Sequence, residues 1–183
     1  MRTVVLRVVA LALLLLLALV AALMMRTLGQ LPDVTIYLVR DDGASFTLEP
    51  VYRRMRSDAR DAAGAAHPSE ATVRVAIAAL AAGPSEEEAS RGLGSEVPPD
   101  TRVVGVRFAD GVVTIDLSSD FVGGGGTASM LGRLHQVHHT AVRPGGVEAV
   151  RIVVEGRPLD VLGGEGIMVD QPWRAPAEGL PRW

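Results

Sequence analysis

Val103 to Leu117 reads VVGVRFADGVVTIDL, and this stretch decides the fold. Asp110-Gly111 at its centre is a dipeptide that suits a two-residue type I′ turn, where both central residues need positive φ. Folding about that turn pairs Phe108 with Val113, Val106 with Ile115 and Val104 with Leu117. Strand side chains alternate, so these six apolar residues share one face. The other face receives Arg107 opposite Thr114 and Gly105 opposite Asp116. A slip of one residue would turn the apolar set into water, so the register is well specified.

The flanking segments supply the cover that this apolar face needs. Val34 to Val39 (VTIYLV) has the β-branched and aromatic content of a strand, closed by the turn Asp41-Asp42-Gly43. Phe46 to Tyr52 reads as a second, weaker strand in which Pro50 marks an edge or a bulge. Ser69 is placed to cap a helix on which Val73, Ile77 and Leu80 form one stripe, and Gly83-Pro84 stops it. Ser85 and Glu88 then make a capping box for a short helix, interrupted by Gly92 and Gly94. Past the hairpin, a helix over 127–142 buries Met130, Leu134, Val137 and Ala141. Ala149 to Val154 is a strand that turns at Glu155-Gly156, so that Ile152 meets Leu159 and Val150 meets Val161. Ile167 to Val169 adds a short strand, and the Pro-rich stretch 173–183 reads as a loose tail. The order predicts an α+β fold, with two longer helices packed on one face of a mainly antiparallel sheet.

Val8 to Met25 (VVALALLLLLALVAALMM) is 18 apolar residues without a charge. At helical rise it spans roughly 27 Å, close to the hydrocarbon core of a bilayer. Arg2, Arg7 and the amino terminus make the preceding side the more positive, which favours N-terminus inside. Such uniform hydrophobicity leaves no polar face for a buried core helix. A signal anchor is the simplest reading, with residues 1–31 forming the cytoplasmic end, anchor and linker. Cleavage at Val20-Ala21-Ala22 is the alternative, although no polar region separates that site from the run. A lipid anchor would need a cysteine, and the chain has none. The expectation is a single-pass membrane protein with its domain on the extracytoplasmic side.

The lack of cysteine also excludes disulfides, thiolate metal sites and thiol catalysis. The net charge is −3, and all 18 basic residues are arginine, a bias without functional weight. That balance lacks the strongly basic face expected of a nucleic-acid binder.

Ala78 to Glu88 (AALAAGPSEEE), followed by Gly92-Leu93, resembles the "ALLAGP-T/S-EEE…GL" segment of GerMN domains. Val97-Pro98, the hairpin and Ser118 to Phe121 are similar to the next stretch of that family. Gln136-Val137, Thr140 and Gly146-Val147 match its helix end, and Val153 to Val161 its later hairpin. The likeness covers Val34 to Pro172, which sets the domain at 32–172. His138 and His139 depart from the family, where Val and Tyr are usual, as does Arg143-Pro144-Gly145. The resemblance implies a membrane-tethered extracytoplasmic module of sporulation, germination or peptidoglycan-related processes. It further implies kinship with ring-building modules, hence self-assembly or an envelope partner. The family has no established catalytic residue, so the resemblance carries over no catalytic, cofactor or metal site.

Four groups of residues remain candidates for chemistry. His135, His138 and His139 lie at i, i+3 and i+4 and can share a helix face as metal ligands. Facing away from the apolar stripe and without an acidic partner nearby in sequence, they read better as partly exposed packing residues. Gly123 to Gly126 precedes a helix N-terminus, as a phosphate cradle does, but lacks P-loop spacing and reads better as a flexible connection. Asp116 and Asp120 could pair to hydrolyse a wall polymer, although an ion pair with Arg107 accounts for Asp116. Arg53, Arg54, Arg56 and Arg60 form either a solvated strand end or a patch for an anionic ligand. The sequence therefore favours a non-enzymatic binding or assembly module. The alternative is a cell-wall hydrolase or metal-dependent enzyme using Asp116/Asp120 or His135/His138/His139.

Overall fold

In the computed structural model, which describes residues 14, 16–17, 34–53, 68–142, 147–163, 166–174 and 182–183, the first element is a regular hairpin. Strands β1 (Val34–Asp41) and β2 (Phe46–Arg53) pair antiparallel from Val34↔Arg53 to Asp41↔Phe46. Gly43 supplies φ 80° in the turn. The Asp42 carboxylate accepts the Ala44 and Ser45 N–H groups at 2.9 and 2.7 Å. Pro50 lies on the edge strand, where a missing N–H is tolerated. Most of the expected anchor lies outside the described residues; Leu14, Leu16 and Leu17 are helical and exposed. No helix among the described residues is long and apolar enough to cross a membrane.

Helix α1 (Pro68–Ala81) begins before Ser69, so Ser69 lies in its first turn rather than at its cap. Proline suits that opening position, because the N–H it lacks would have no helical partner there. Val73, Ile77 and Leu80 are buried as their spacing requires. Helix α2 (Glu86–Ser90) carries the reciprocal capping box of Ser85 and Glu88. Strand β3 (Leu93–Gly94) then pairs with Arg40 and Val39 of β1. Two residues are too few to show a period, so this strand leaves no mark in the sequence pattern.

Strands β4 (Val103–Ala109) and β5 (Val112–Leu117) turn at Asp110 and Gly111, with φ of 51° and 75°. Phe108↔Val113, Arg107↔Thr114, Val106↔Ile115 and Gly105↔Asp116 pair as expected. Val104 does not reach Leu117. A bulge between Val103 and Gly105 puts Val103 there instead and leaves Val104 55% exposed. Arg74 of α1 donates to the Val103 and Val104 carbonyls at 3.2 and 3.4 Å, satisfying acceptors at the bulge. Glu70 accepts the Phe108 N–H at 2.8 Å, so α1 covers the free edge of β4 with polar side chains.

Helix α3 (Thr127–Val142) carries the chain back to β6 (Ala149–Val154), which runs parallel to β5 from Val112↔Ala149 to Leu117↔Val154. The second sheet, β4-β5-β6-β7, is therefore mixed, because a helical crossover returns the strand in the same direction, while the other pairings of the described strands are antiparallel as expected. Strand β7 (Arg157–Pro158) pairs only with Val154 and Val153. Leu159 N–H still reaches Ile152 O at 3.3 Å, but Val150 exchanges its backbone bonds with Trp173 and not with Val161. Val161 belongs to a separate ribbon, β8 (Val161–Leu162) against β9 (Ile167–Met168). The two longer helices contact each other and bridge the two sheets. Both contact β1, while α1 also packs on β4 and α3 on β6. Val113, Ile115 and Leu117 on the inner face of β5 are fully buried beneath this layer.

Helix α3 also completes β1. Beyond β3, no strand among the described residues pairs with Tyr37 on its second edge. Thr140 Oγ1 accepts its N–H at 3.1 Å, and Gln136 Nε2 donates to its carbonyl at 2.9 Å. Gln136 Oε1 in turn accepts the Glu96 N–H at 2.7 Å. One fully buried amide thus continues the ladder from β1 to the chain after β3.

Candidate functional site

The helix that carries the three histidines is buried nearly all round. His135 is 8% and His138 6% exposed, which corrects the expectation of partly exposed flanks. The cover comes from the C-terminal stretch. Trp173 meets His135 and His138 edge-on at 4.8 and 5.2 Å, and Trp183 stacks on His135 at 5.0 Å. Tyr37 of β1 tilts against His139 at 5.5 Å, and Phe46 of β2 stacks with Trp183 at 6.1 Å. The rings meet by faces and edges, and no group of three among the described residues could hold a metal ion. His135 Nδ1 and His139 Nε2 are buried without a hydrogen-bond partner. Burial disfavours the imidazolium. It brings His135 and His138 down to about 4, with the neighbouring histidines adding to the shift, and lowers His139 as well. Both ends of the expected loose tail are fixed: Trp173 pairs with Val150, and Arg182 and Trp183 pair with the rim of β2.

The glycine run is tied down from behind. Arg133, 2% exposed, donates from Nε to Glu96 O at 3.0 Å and from Nη1 to Phe121 O and, at 3.2 Å, to Gly123 O. Its Nη2 donates to Gly124 O at 3.2 Å. The loop therefore turns carbonyls towards a buried cation, the opposite polarity from a phosphate cradle. A lone arginine amid the apolar stripe of α3 was the available signal for this clamp.

Asp116 and Asp120 are both engaged. Asp116 Oδ1 accepts the Gly156 N–H at 3.1 Å, holding the β6–β7 turn rather than Arg107. Asp120 Oδ2 accepts from Ser118 Oγ at 2.9 Å and lies 3.6 Å from Arg102. Arg53 is neither a solvated end nor a free cation: both of its Nη groups bond Glu88, and Nη2 reaches Gly83 O at 3.2 Å. Burial opposes the charge on Glu88, but Arg53 and the Ser85 amide outweigh it and hold the carboxyl below its usual range. Arg54, Arg56 and Arg60 lie outside the described residues.

Another surface stays open. The outer face of the four-stranded sheet presents Arg107, Thr114 and Arg151 in one row and Gly105, Asp116, Val153 and Pro158 in the next. A groove of about 340 Å³ runs along it, bounded by Arg74, Arg107, Asp116 and Gly156. Its size is in the range of small-ligand sites. The sequence placed the polar face of the hairpin correctly. It did not show that Arg74, from a helix, would reach the same groove.

The family model of Germane, described as sporulation and spore germination, matches residues 35–160. No curated protein matches the chain. Among solved structures, the tandem GerMN domains of the sporulation protein GerM from Bacillus subtilis superpose with a TM-score of 0.60 at 23% identity. That match covers 79% of this chain and 44% of the tandem protein, so the chain spans less than half of it. The first GerMN domain of the same protein gives 0.57 at 21% identity, covering 78% of this chain and 98% of that domain. At these identities the likeness speaks for the fold alone.

Proposed function

Because the chain belongs to the Germane family, we propose that it is a non-enzymatic module, tethered to the cell membrane by its N-terminal run and acting outside the cytoplasm. Its role is binding or assembly at the envelope, in sporulation, germination or a peptidoglycan-related process. The observation that carries this reading is the use to which the fold puts each candidate for chemistry. Asp116 secures a turn, Asp120 a short loop, and the three histidines pack in an aromatic cluster. The uncharged run Val8 to Met25 and the preceding arginines support the tether and its orientation.

The edges of β4, β1 and the start of β2 are poor candidates for the contact surface, because other parts of the chain already occupy them. The β4 edge is covered by Glu70 and Arg74, β1 by Gln136 and Thr140, and the start of β2 by Arg182 and Trp183. The contact surface in this reading is therefore the outer face of the second sheet.

Two assays test the proposal. Protease added to cells with an opened outer barrier should digest the domain while the inner membrane is intact. Complementation of a deletion strain should tolerate Asp120→Asn and a folded His135→Phe/His138→Phe/His139→Phe variant. A protected domain would remove the envelope location. Failure of either folded variant, with outer-face variants still active, would replace the binding role with an enzymatic one.

A further inference from the structure

The outer-face groove combines cationic donors, an acceptor and empty depth, and its assignment to a ligand rests on the binding role just proposed. Among the described residues, Arg107 has no hydrogen-bond or ion-pair partner. Arg74 reaches the bulge carbonyls through Nη1, and its Nε is buried without a partner. Neither guanidinium is matched by a described carboxylate within salt-bridge distance. Asp116 places Oδ1 on the Gly156 N–H at 3.1 Å, which leaves Oδ2 available as an acceptor. Gly105 leaves a gap in the floor, because it contributes no side chain opposite Asp116. Val104, pushed out by the bulge and exposed, adds an apolar shoulder close by.

We propose that this groove binds an acidic peptide in extended form. A ligand carboxylate is held by Arg74 and Arg107, and a ligand N–H donates to Asp116. The two cations against one anion favour an oxyanion, and paired guanidinium groups suit a carboxylate. Asp116 decides between oxyanions. A peptide brings N–H donors that this carboxylate can accept, whereas a phosphate group brings only more negative charge. The apolar shoulder at Val104 takes the side chain next to the acidic residue.

Fluorescence polarisation of the purified full chain with a labelled Glu-Val-Glu-Val-Glu peptide, both ends blocked, tests the assignment. The control is the same peptide with Gln for Glu. We expect saturable binding of the acidic peptide and at least about tenfold weaker binding of the neutral one, as loss of charge-assisted hydrogen bonds implies. Arg107→Gln should weaken binding about tenfold without disturbing the fold, since the side chain has no bond to lose. Gly105→Leu should abolish it by filling the floor. That change is compatible with the backbone, because a Cβ there meets nothing nearer than Asp116 Cβ at 3.5 Å. Equal binding of the two peptides, or unchanged binding in Arg107→Gln and Gly105→Leu, would overturn the proposal. Displacement by millimolar inorganic phosphate would overturn it in favour of a bare oxyanion site. A folded Gly105→Leu chain that has lost peptide binding but complements the deletion strain would remove the groove's biological role and leave the module reading intact.

Discussion

Two polar regions of this protein look alike in sequence and end in opposite states. Helix α3 carries three histidines, a glutamine and an arginine, and nearly all of them are buried. The outer face of β4-β5-β6-β7 carries two arginines, a threonine and an aspartate, and stays open. On α3 the polar groups are absorbed by the fold: Gln136 and Thr140 finish a sheet edge, and Arg133 gathers loop carbonyls. On the sheet face, Arg107 finds no partner among the described residues. The difference teaches that polarity alone does not mark a site. What marks it is polarity that the fold leaves unused.

Adjacent residues on β5 give the sharpest contrast. Ile115 faces the core and Thr114 the groove side. Ile115→Asp buries an unpaired carboxylate and should cost roughly 4 kcal/mol, enough to unfold a marginal domain. Thr114→Asp stands between the Arg107 and Arg151 positions and should change stability by less than about 0.5 kcal/mol. Urea titration of both variants checks this. Equal losses would erase the distinction between the two faces.

The buried region should also respond to pH. His135 and His138 titrate near 4 in the folded chain and near 6.5 when unfolded. Between those values the unfolded state binds more protons, so stability is full above pH 6.5 and falls as pH drops towards 4. For each of the two groups the loss should be at most about 3 kcal/mol. The only two tryptophans both pack on His135, so intrinsic fluorescence reports the cluster directly. His135→Phe/His138→Phe should flatten the pH slope of the urea midpoint. An unchanged slope would show that the rings are not the acid-sensitive element. The sheet face contains no histidine among the described residues and should show no such response.

Much of the fold was legible because it rests on local periodicity. The Asp110-Gly111 turn, the Ser85–Glu88 capping box and the limits of α3 follow from residues close in sequence. The register of the hairpin was legible up to Val104, where a bulge supported by Arg74 intervenes. Legibility fails where distant segments meet. Nothing near His135 announces Trp173 and Trp183, so the histidines looked outward. Likewise Val150 takes Trp173 in place of Val161, a choice made by the path of the chain after Leu159. The groove was half legible: Arg107, Thr114 and Asp116 follow from strand alternation, and Arg74 does not.

A subtler test lies in the amide that joins β1 to the chain after β3. Gln136→Leu keeps the volume but leaves Tyr37 O unpaired in a buried place and Glu96 N–H unpaired in a half-buried one. The expected cost is about 2 kcal/mol, from two lost partners with partial relaxation. Hydrogen exchange should quicken first at Glu96, whose N–H that side chain accepts. Protection unchanged at Glu96 would mean that backbone or water replaces the amide, and that α3 is less committed to the fold than its burial implies.

The smallest expected effect separates two arginines. Arg53 bonds Glu88 and Gly83, and its partner sits in the capping box of α2. Arg53→Gln should cost about 1–2 kcal/mol, because Glu88 is then left largely buried without its cation. Arg107→Gln removes a side chain that touches no described acceptor, and its effect on stability should stay within about 0.5 kcal/mol. Thermal melts at low and high salt distinguish the two. Salt should narrow the small difference for Arg107, which acts only through long-range charge, and leave most of the Arg53 loss in place, since a largely buried pair is poorly screened. If Arg107→Gln proved as costly as Arg53→Gln, Arg107 would be structural, and the outer face would lose the unused charge that sets it apart from α3.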